Sequence, residues 1–452
     1  MRTRNFARRY SRAVVVALGV IGGGFAPANP AGAQSAQQFR WCNGDDHPTP
    51  DLSIDGCTAL IRSGKYSGRD LASAYTNRGS AYDDKRDEDR AIADHDSAIR
   101  IDPKLDLAFN NRANAYGRKG ETDRAIADYD EAIRLNPKFS LAYNNRGNKY
   151  RDKRAYVRAI SDYDEAIRIN PRFADAYNNR GITYDSMGNG DRALADYTSA
   201  IRFDPKFALA YNNRGLEYRE KREFDAAIAD FSTAIAIDSR YANAYRNRGN
   251  AWVKKGEYDR AIPDLTTALA INAKDSETLA GRGVAYEKTG DYDSAIADFD
   301  NVIALKPQNI AALTSRGYAH FYRGDFVDAA ADLSHGVGTG LDTYPSLFRF
   351  LALSRAGQAA SDLEPAARRL NSQDWPYAVF ELYVGRRDPA ATLAAAQKPE
   401  ERCEAQFYVG EWQLLQGDRA AARQRFEEAV GICLKAFIEY TAAQAELRRL
   451  GP

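Results

Sequence analysis

The sequence predicts an all-α fold, an α-solenoid of stacked helical hairpins. Three observations indicate this class: a period of 34 residues, two apolar helical stripes in each period, and glycine or proline where the stripes end. The period is written eight times between Ala72 and Thr343. A strict repeat of this length is typical of solenoids, in which each unit buries its apolar face against its neighbours. We therefore expect the protein to bind a partner.

Residues 1–33 have the features of a secretory signal peptide. The basic start MRTRNFARRYSR precedes an apolar run, AVVVALGVIGGGFA, and the small residues AGA before Gln34. The run is too short and too rich in glycine for a stable membrane span, which favours cleavage after Ala33 over a retained anchor. We predict a bacterial periplasmic or secreted protein with a Sec-type signal and no membrane span after cleavage. Arg8 and Arg9 leave twin-arginine export open.

Cleavage would change the formal net charge of the chain. It removes five arginines and no acidic residue, so the charge moves from +1 to −4. Nucleic-acid binding usually requires a strongly basic face. We therefore expect no nucleic-acid partner.

Four cysteines lie near the two ends of the mature chain. An even number in an exported protein favours disulfides, and of the three possible connectivities we prefer the local one. This predicts the pairs Cys42–Cys57 and Cys403–Cys433. A metal site is disfavoured because paired spacing and nearby histidines are missing. The first pair would hold a helical cap over residues 34–71.

The third repeat, residues 140–173, illustrates the predicted hairpin. The stripe of its first helix consists of Ala142, Tyr143, Gly147 and Tyr150. The stripe of its second helix consists of Ala159, Ile160, Tyr163, Ala166 and Ile167. These spacings of three and four residues predict helices. Pro171 ends the second helix because proline supplies no amide donor. In five repeats a glycine suits the turn between the helices: Gly120, Gly188, Gly256, Gly290 and Gly324.

These residues resemble the tetratricopeptide repeat. Its pattern has an aromatic residue at position four, glycine at eight, tyrosine at eleven, alanine at twenty, an aromatic at twenty-four, alanine at twenty-seven and proline at thirty-two. In the third repeat those places hold Tyr143, Gly147, Tyr150, Ala159, Tyr163, Ala166 and Pro171. The resemblance covers residues 72–343 and implies a right-handed superhelix whose first helices line an inner wall. The last two repeats depart from the pattern, with Leu279, Leu313 and His320 at aromatic places.

One feature departs from the general pattern in every repeat. Position seven is an arginine in all eight copies: Arg78, Arg112, Arg146, Arg180, Arg214, Arg248, Arg282 and Arg316. Position twenty-three is an aspartate in all eight: Asp94, Asp128, Asp162, Asp196, Asp230, Asp264, Asp298 and Asp332. A charge in a helix-facing row needs a partner, and the planar guanidinium can hold both carboxylate oxygens. We predict a ladder of structural Arg–Asp pairs, in preference to arginines that bind an anionic ligand.

The partner is expected along the inner wall. By the resemblance, positions two, five, nine and twelve point into it, and the candidate contacts are Asn110, Asn114, Asn144, Asn148, Asn178, Asn212, Arg246 and Asn250. Asparagine amides donate and accept together, which matches an extended peptide backbone. A solvated face, or asparagines that bond neighbouring repeats, is the alternative. The position-six residues Asn111, Asn145, Asn179, Asn213 and Asn247 are expected to bond in this second way.

Toward the end of the array the same rows become apolar, at Tyr318, Phe321 and Tyr322. Such a patch marks either a contact surface or a face that the C-terminal helices cover, and we favour covering because a solenoid needs a terminal cap. Residues 344–452 are predicted to be helical, with one degenerate repeat at residues 403–436.

The C-terminal region contains WPYAVFELYVG, EAQFYVGEWQLLQGD and AFIEYTAAQAELRRLG. It is similar to the end of the NlpI-type periplasmic tetratricopeptide lipoproteins. That resemblance implies an envelope adaptor that binds peptidoglycan hydrolases and a protease. The lipidation cysteine of that family is missing here, and the central array is longer.

The sequence favours a binding scaffold over an enzyme. His95 and His320 occupy core aromatic places, where a packed, hydrogen-bonded role is preferred to catalysis. No Walker loop, zinc motif or nucleophile elbow occurs in the sequence,. We predict a non-enzymatic adaptor for extended peptides or partner helices, without catalytic residue, cofactor or metal. The alternative is a structural assembly factor that binds peptidoglycan or another envelope component.

Overall fold

The computed structural model describes residues 30–336, 343–358, 363–371 and 375–451. This part of the chain contains 25 α-helices, one short 3-10 turn and no strand, which confirms the all-α prediction. The chain divides into two compact units between Asn213 and Arg214. Most of the predicted signal peptide lies outside the described residues, and the first helix begins at Pro30.

The first unit contains two N-terminal helices and the first four repeats. Its helices are α1 (Pro30–Asn43), α2 (Pro50–Arg62), α3 (Gly68–Asp84), α4 (Glu88–Ile101), α5 (Asp106–Lys119), α6 (Thr122–Leu135), α7 (Ser140–Asp152), α8 (Tyr156–Ile169), α9 (Ala174–Ser186) and α10 (Gly190–Phe203). The next helix, α11 (Ala208–Glu220), contains the boundary between the units. From α3 onward the helices pack in consecutive antiparallel pairs.

The turn between the two helices of a repeat places one residue in the left-handed region. Gly120 and Gly188 have φ angles of 82° and 76°, as the glycine pattern predicts. Arg86 and Arg154 occupy the same place in their repeats, each with φ of 59°. Because the β-carbon disfavours this conformation, the arginines carry a strain that glycine avoids.

The glycine at position eight allows the two helices of a hairpin to approach closely. A β-carbon added to Gly147 would lie 2.8 Å from Cε1 of Tyr163, and one added to Gly181 would lie 2.8 Å from Cε1 of Tyr197. Both rings are buried. In these repeats the ring at position twenty-four packs directly on the backbone of the first helix, which explains the preference for glycine at position eight in seven of the eight copies.

Helices α1 and α2 are joined by the predicted Cys42–Cys57 disulfide, with 4.6 Å between the two Cα atoms. Cys42, Cys57, Leu60 and Ala74 form a buried cluster, so α2 also packs on α3 of the first repeat. An added β-carbon on Gly56 would lie 2.6 Å from the carbonyl oxygen of Gln38. These contacts hold the two N-terminal helices to each other and α2 to the first repeat.

The second unit contains the remaining repeats and the C-terminal region. Its helices after α11 are α12 (Phe224–Ile237), α13 (Ala242–Lys255), α14 (Tyr258–Ile271), α15 (Ser276–Thr289), α16 (Tyr292–Leu305), α17 (Ile310–Arg323), α18 (Phe326–Leu333), α19 (Thr343–Arg355), α20 (Leu363–Ala367), α21 (Tyr377–Tyr383), α22 (Pro389–Ala395), α23 (Pro399–Leu415), α24 (Arg419–Ile432) and α25 (Ile438–Leu450). Ser334–Gly336 forms the 3-10 turn.

Helices α23 and α24 form the hairpin at the place of the predicted degenerate repeat. An added β-carbon on Gly410 would lie 2.8 Å from Cε1 of Phe426, the same approach that the complete repeats show. The Cys403–Cys433 disulfide joins the start of α23 to the residue that follows α24, as predicted. Among the described residues, no helix combines the length and the apolar character that crossing a membrane requires.

Candidate partner-binding site on the first helices

Every repeat contains the predicted Arg–Asp pair. Nε and Nη2 of each position-seven arginine donate to the two carboxylate oxygens of its position-twenty-three aspartate, at distances between 2.7 and 2.9 Å. All eight aspartates are buried. Burial raises the pKa of Asp162 and of Asp196, although the arginine hydrogen bond opposes the shift.

The remaining nitrogen of the arginine connects neighbouring repeats. Nη1 of Arg146 donates to Asp130 at 2.6 Å, and Nη1 of Arg248 donates to Ser232 at 3.0 Å. Both acceptors occupy position twenty-five of the preceding repeat. This link was not predicted from the sequence, although an aspartate, serine or threonine recurs at position twenty-five in every copy that precedes another. Because its three nitrogens are bonded within the solenoid, the guanidinium is a structural group.

The position-five asparagines do not form an open wall. Asn110, Asn144 and Asn178 are 0% exposed and Asn212 is 4% exposed. Nδ2 of Asn179 donates to Oδ1 of Asn144 at 2.9 Å. The same bond joins Asn145 to Asn110 and Asn213 to Asn178, so the position-six amide reaches the position-five amide of the preceding repeat. The predicted role of these four residues in an inner wall is therefore wrong, because the close approach of successive first helices buries them.

The position-nine asparagines of the second and third repeats remain half-buried. Oδ1 of Asn114 accepts hydrogen bonds from the Tyr129 hydroxyl at 2.6 Å and from Nδ2 of Asn145 at 3.3 Å. Oδ1 of Asn148 accepts from the Tyr163 hydroxyl at 2.9 Å. Burial raises the pKa of Tyr163 to about 12, so its hydroxyl keeps its proton and donates.

These bonds fix the orientation of the two amides. With the oxygen held by a buried tyrosine, the NH2 group of Asn114 or of Asn148 points away from it, and neither group donates a hydrogen bond to any described residue. An oriented donor of this kind can accept a carbonyl group from outside the chain without rearrangement. The two asparagines are the predicted contacts that the structure leaves available in the first unit.

In the second unit the predicted contacts Arg246 and Asn250 have neighbours within the chain. Nη1 of Arg246 pairs with Asp275 at 2.9 Å, and this hydrogen bond lowers the pKa of Asp275 against the opposing effect of burial. A β-carbon added to Gly281 would lie 2.5 Å from Oδ1 of Asn250. Arg246 is therefore neutralised, and Asn250 packs against the next first helix.

The predicted apolar patch is covered by the chain itself. Phe321 is 0% exposed and Tyr322 is 2% exposed, in a cluster that includes Phe348, and Tyr318 packs against the same cluster. The Tyr322 hydroxyl donates to the carbonyl oxygen of Ile438 at 3.3 Å. Self-covering, the favoured alternative, is confirmed, and the assignment of Tyr318, Phe321 and Tyr322 as partner contacts is wrong because α19, α23 and α25 occupy their face.

The two core histidines differ in their surroundings. His95 is 0% exposed against the backbone of Gly79, and its Nε2 lies 3.6 Å from Asp83, so it is packed as predicted but lacks the predicted hydrogen bond. His320 is 9% exposed and lies beside Asp325, Asp328 and Asp332.

Comparison with protein families supports the assignment of the repeats. Three related tetratricopeptide-repeat profiles match within residues 72–309. One, described as Tetratricopeptide repeat, matches residues 107–139, 174–207 and 276–309. A second, described as TPR repeat, matches residues 147–188 and 215–256. A third, also described as Tetratricopeptide repeat, matches residues 72–105.

Several solved structures are similar to parts of the chain. MamA is 29% identical over 36% of this chain and 96% of its own, with a TM-score of 0.33. YrrB, described as a TPR protein with an unusual peptide-binding site, is 24% identical over 41% of this chain and 95% of its own, with a TM-score of 0.34. A tetratricopeptide repeat protein from Parabacteroides merdae is 22% identical over 56% of this chain and 99% of its own, with a TM-score of 0.44.

No curated protein matches the chain significantly. The family profiles agree with the hairpins, with the close approach of position eight to position twenty-four, and with the period of 34 residues. Residues 72–309 are therefore built of tetratricopeptide repeats.

Proposed function

We propose that the protein is a non-enzymatic scaffold that binds an extended polypeptide across the first helices of its second and third repeats. The observation that carries the proposal is the pair of oriented amides at Asn114 and Asn148. Each is half-buried, each is held by a buried tyrosine, and each leaves its NH2 group without an acceptor among the described residues. Tetratricopeptide repeats typically bind protein partners, which fits this use.

The chemistry of these donors suits a peptide backbone. They are neutral, and they recur at the same place of consecutive repeats, so an extended strand can present a carbonyl oxygen to each. The charged groups nearby are already paired, Arg118 with Asp83 and Lys149 with Asp152. We therefore expect the site to bind the backbone of the peptide without requiring a charged side chain. Binding through a terminal carboxylate held by free lysines or arginines is not favoured.

We propose further that the mature protein acts in the periplasm or is secreted. The basic, apolar and small-residue segments of residues 1–33 and the two disulfides support this location, because disulfides persist in oxidising compartments,. The resemblance of the C-terminal region to NlpI-type adaptors supports partners among peptidoglycan hydrolases or proteases. Binding to peptidoglycan itself is the second candidate, and the experiment below separates the two.

The experiment compares two doubly substituted proteins, each prepared as residues 34–452. Asn114→Asp with Asn148→Asp keeps the oxygen that the tyrosines bind and replaces the donor group by an acceptor. The control, Asn301→Asp with Gln308→Glu, adds the same charge at two exposed positions of the second unit. Immobilised wild-type protein and both variants are incubated with a periplasmic extract of the source bacterium, and retained polypeptides are identified by mass spectrometry.

We expect wild type and control to retain the same polypeptides and the Asn114/Asn148 variant to lose them. Titration of a retained partner should show at least about tenfold weaker binding to that variant, since two hydrogen bonds become repulsive contacts. Equal retention by all three proteins contradicts the proposed site. Sedimentation of the protein with purified sacculi, in the absence of other proteins, would instead support the peptidoglycan-binding alternative.

A further inference from the structure

The eighth repeat differs from the others at two positions that face each other. In repeats one to four and six, an arginine at position nineteen lies over the aromatic ring at position eleven. The distances from the guanidinium carbon to the ring centroid are 4.5 Å for Arg90, 3.9 Å for Arg124, 5.7 Å for Arg158, 5.5 Å for Arg192 and 4.8 Å for Arg260. In the eighth repeat position eleven is His320 and position nineteen is Asp328.

A third position completes this arrangement. In repeats one, two and six the arginine also pairs with an acidic residue at position sixteen: Nη1 of Arg124 donates to Glu121 at 2.5 Å, and Nη1 of Arg260 lies 3.0 Å from Glu257. The eighth repeat keeps the acid, as Asp325, and has lost the arginine. The place that a cationic side chain occupies in other repeats is thus lined here by one imidazole and two carboxylates.

The three side chains are close enough to share one ion. One ligand atom from each of His320, Asp325 and Asp328 lies within 4.8 Å of the others. Nδ1 of His320 is buried, lies 3.5 Å from Asp325, and makes no hydrogen bond within the described part of the chain. Asp328 is exposed and has no ion pair among the described residues, so the place is open to solvent on that side.

The surroundings of Nε2, the other ring nitrogen of His320, also support Nδ1 as the metal ligand. Nε2 of His320 lies 3.9 Å from Oδ2 of Asp332, whose two oxygens are held by Arg316. Nε2 therefore faces a carboxylate that is already engaged, and Nδ1, on the side of Asp325 and Asp328, is the ring nitrogen available to a metal ion,. Arg323 pairs with Asp325 and with Asp293, so a metal ion would share the Asp325 carboxylate with this guanidinium.

We propose that His320, Asp325 and Asp328 bind a divalent transition-metal ion, with Zn²⁺ the best match, in place of the missing arginine. A nitrogen ligand with two carboxylates suits zinc, whereas calcium and magnesium prefer oxygen ligands alone. Ligand atoms of a tetrahedral zinc site lie about 3.3 Å apart. Rotation of the exposed Asp328 side chain can close the remaining gap, and water completes the coordination. This revises the expectation from the sequence that the chain has no metal.

The test measures Zn²⁺ binding to the untagged mature chain after treatment with EDTA, by calorimetry. We expect the wild type to bind one Zn²⁺ per chain. The variant His320→Tyr with Asp328→Arg should show no stoichiometric Zn²⁺ binding. That double variant restores the aromatic residue and the arginine found together in repeats one to four and six, so it should remain folded by circular dichroism. The charge-matched control is Asp259→Arg, an exposed residue of α14, and it should bind like the wild type.

A milder variant separates ligand loss from misfolding. Asp328→Asn changes one exposed ligand and should weaken Zn²⁺ binding by about tenfold to a hundredfold while the melting temperature without metal stays unchanged. Replacing Zn²⁺ by Co²⁺ should give visible absorption bands in the wild type that the His320→Tyr/Asp328→Arg variant lacks. Absence of stoichiometric binding in the wild type, or equal affinity in that variant, overturns the proposal.

Discussion

The repeats of the first unit and the C-terminal region hold their helices together by different interactions. Buried apolar residues in the first unit form clusters of only three or four. Between these clusters lie the buried aspartates of the Arg–Asp ladder and the buried asparagines at positions five and six, whose bonds between successive repeats form a second, asparagine ladder. The C-terminal region and the eighth repeat share one cluster of 22 buried apolar residues, drawn from α17 to α25. A periodic chain can specify its register by polar groups because the next copy always supplies the matching partner.

The non-periodic end must specify its packing in another way. Its helices vary in length, and large side chains such as Phe348, Phe380 and Phe407 fill the space between them. The polar groups that it buries include glutamates without a periodic partner: Glu404 accepts from Tyr344 and Trp375, and Glu411 and Glu446 share Arg355. The comparison implies that apolar substitutions should be most damaging at the C-terminal end and polar substitutions most damaging in the repeats.

The largest effect is expected for Phe348→Ala. The ring is 0% exposed and lies 5.0 Å from the centroid of Phe321 and 5.6 Å from that of Phe407. Removing it should lower the free energy of unfolding of the C-terminal region by about 3 to 5 kcal/mol, through lost transfer energy and a cavity. Native-state hydrogen exchange should show faster exchange in α19, α23 and α25. A loss confined to less than about 1 kcal/mol would contradict a single shared core.

The Arg–Asp ladder provides the corresponding test for the repeats. Arg146→Leu leaves the buried Asp162 carboxylate without its bidentate partner and should lower the local unfolding free energy by about 3 kcal/mol,. The double change Arg146→Leu with Asp162→Leu removes both charges and should be clearly more stable than the single one. Hydrogen exchange of α7 and α8 provides both values.

A double variant as unstable as Arg146→Leu alone would contradict the pairing. Arg168→Leu is the control, because its guanidinium is 68% exposed and pairs only with Glu165 of the same helix. Surface pairs of this kind contribute about 1 kcal/mol or less. The difference between the free-energy losses of Arg146→Leu and Arg168→Leu then measures how much burial in the ladder adds to the cost of removing one arginine.

The sequence predicts the periodic interactions well and the remainder poorly, for a physical reason. Arg146 and Asp162 could be paired from their register because both recur in every copy. The burial of Asn144 could not be predicted, because it depends on how closely successive first helices approach, a distance that no single hairpin determines. The glutamates of the C-terminal core were missed for a similar reason, since their burial follows from long-range packing of unrepeated helices.

Those glutamates predict a marked pH dependence of the stability of the C-terminal region. Burial raises the pKa of Glu439 to about 8, and the carboxyl of Glu404 nearby adds to the shift. An unfolded glutamate has a pKa of about 4.5. Between these values the folded state holds a proton that the unfolded state releases, so stability is greatest at acid pH and falls as pH rises toward 8. The loss should be about 1.4 kcal/mol per pH unit for each such group.

Glu439→Gln tests this dependence directly. The amide keeps a group that can bond the Tyr408 hydroxyl, which lies 3.0 Å from Oε1, and it does not ionise. Between pH 6 and pH 7, the unfolding free energy should fall by about 1.4 kcal/mol less in the variant than in the wild type. Urea unfolding, monitored by hydrogen exchange of α25, gives the unfolding free energies at the two pH values. Glu427→Gln, at an exposed site, should leave the slope unchanged, and equal slopes in all three proteins would contradict the shift.

The smallest effect is expected in the asparagine ladder, where each bond is neutral. Asn179→Ala removes the donor to Oδ1 of Asn144 and leaves that buried oxygen without the bond that joins the third and fourth repeats. The cost should be about 1 kcal/mol, seen as faster hydrogen exchange in α7 and α9. Asn301→Ala, which removes an exposed amide bonded only to its own helix, should cost less than about 0.5 kcal/mol,. If the two substitutions cost the same, the ladder does not join the repeats, and their register depends on the Arg–Asp pairs and alanine contacts alone.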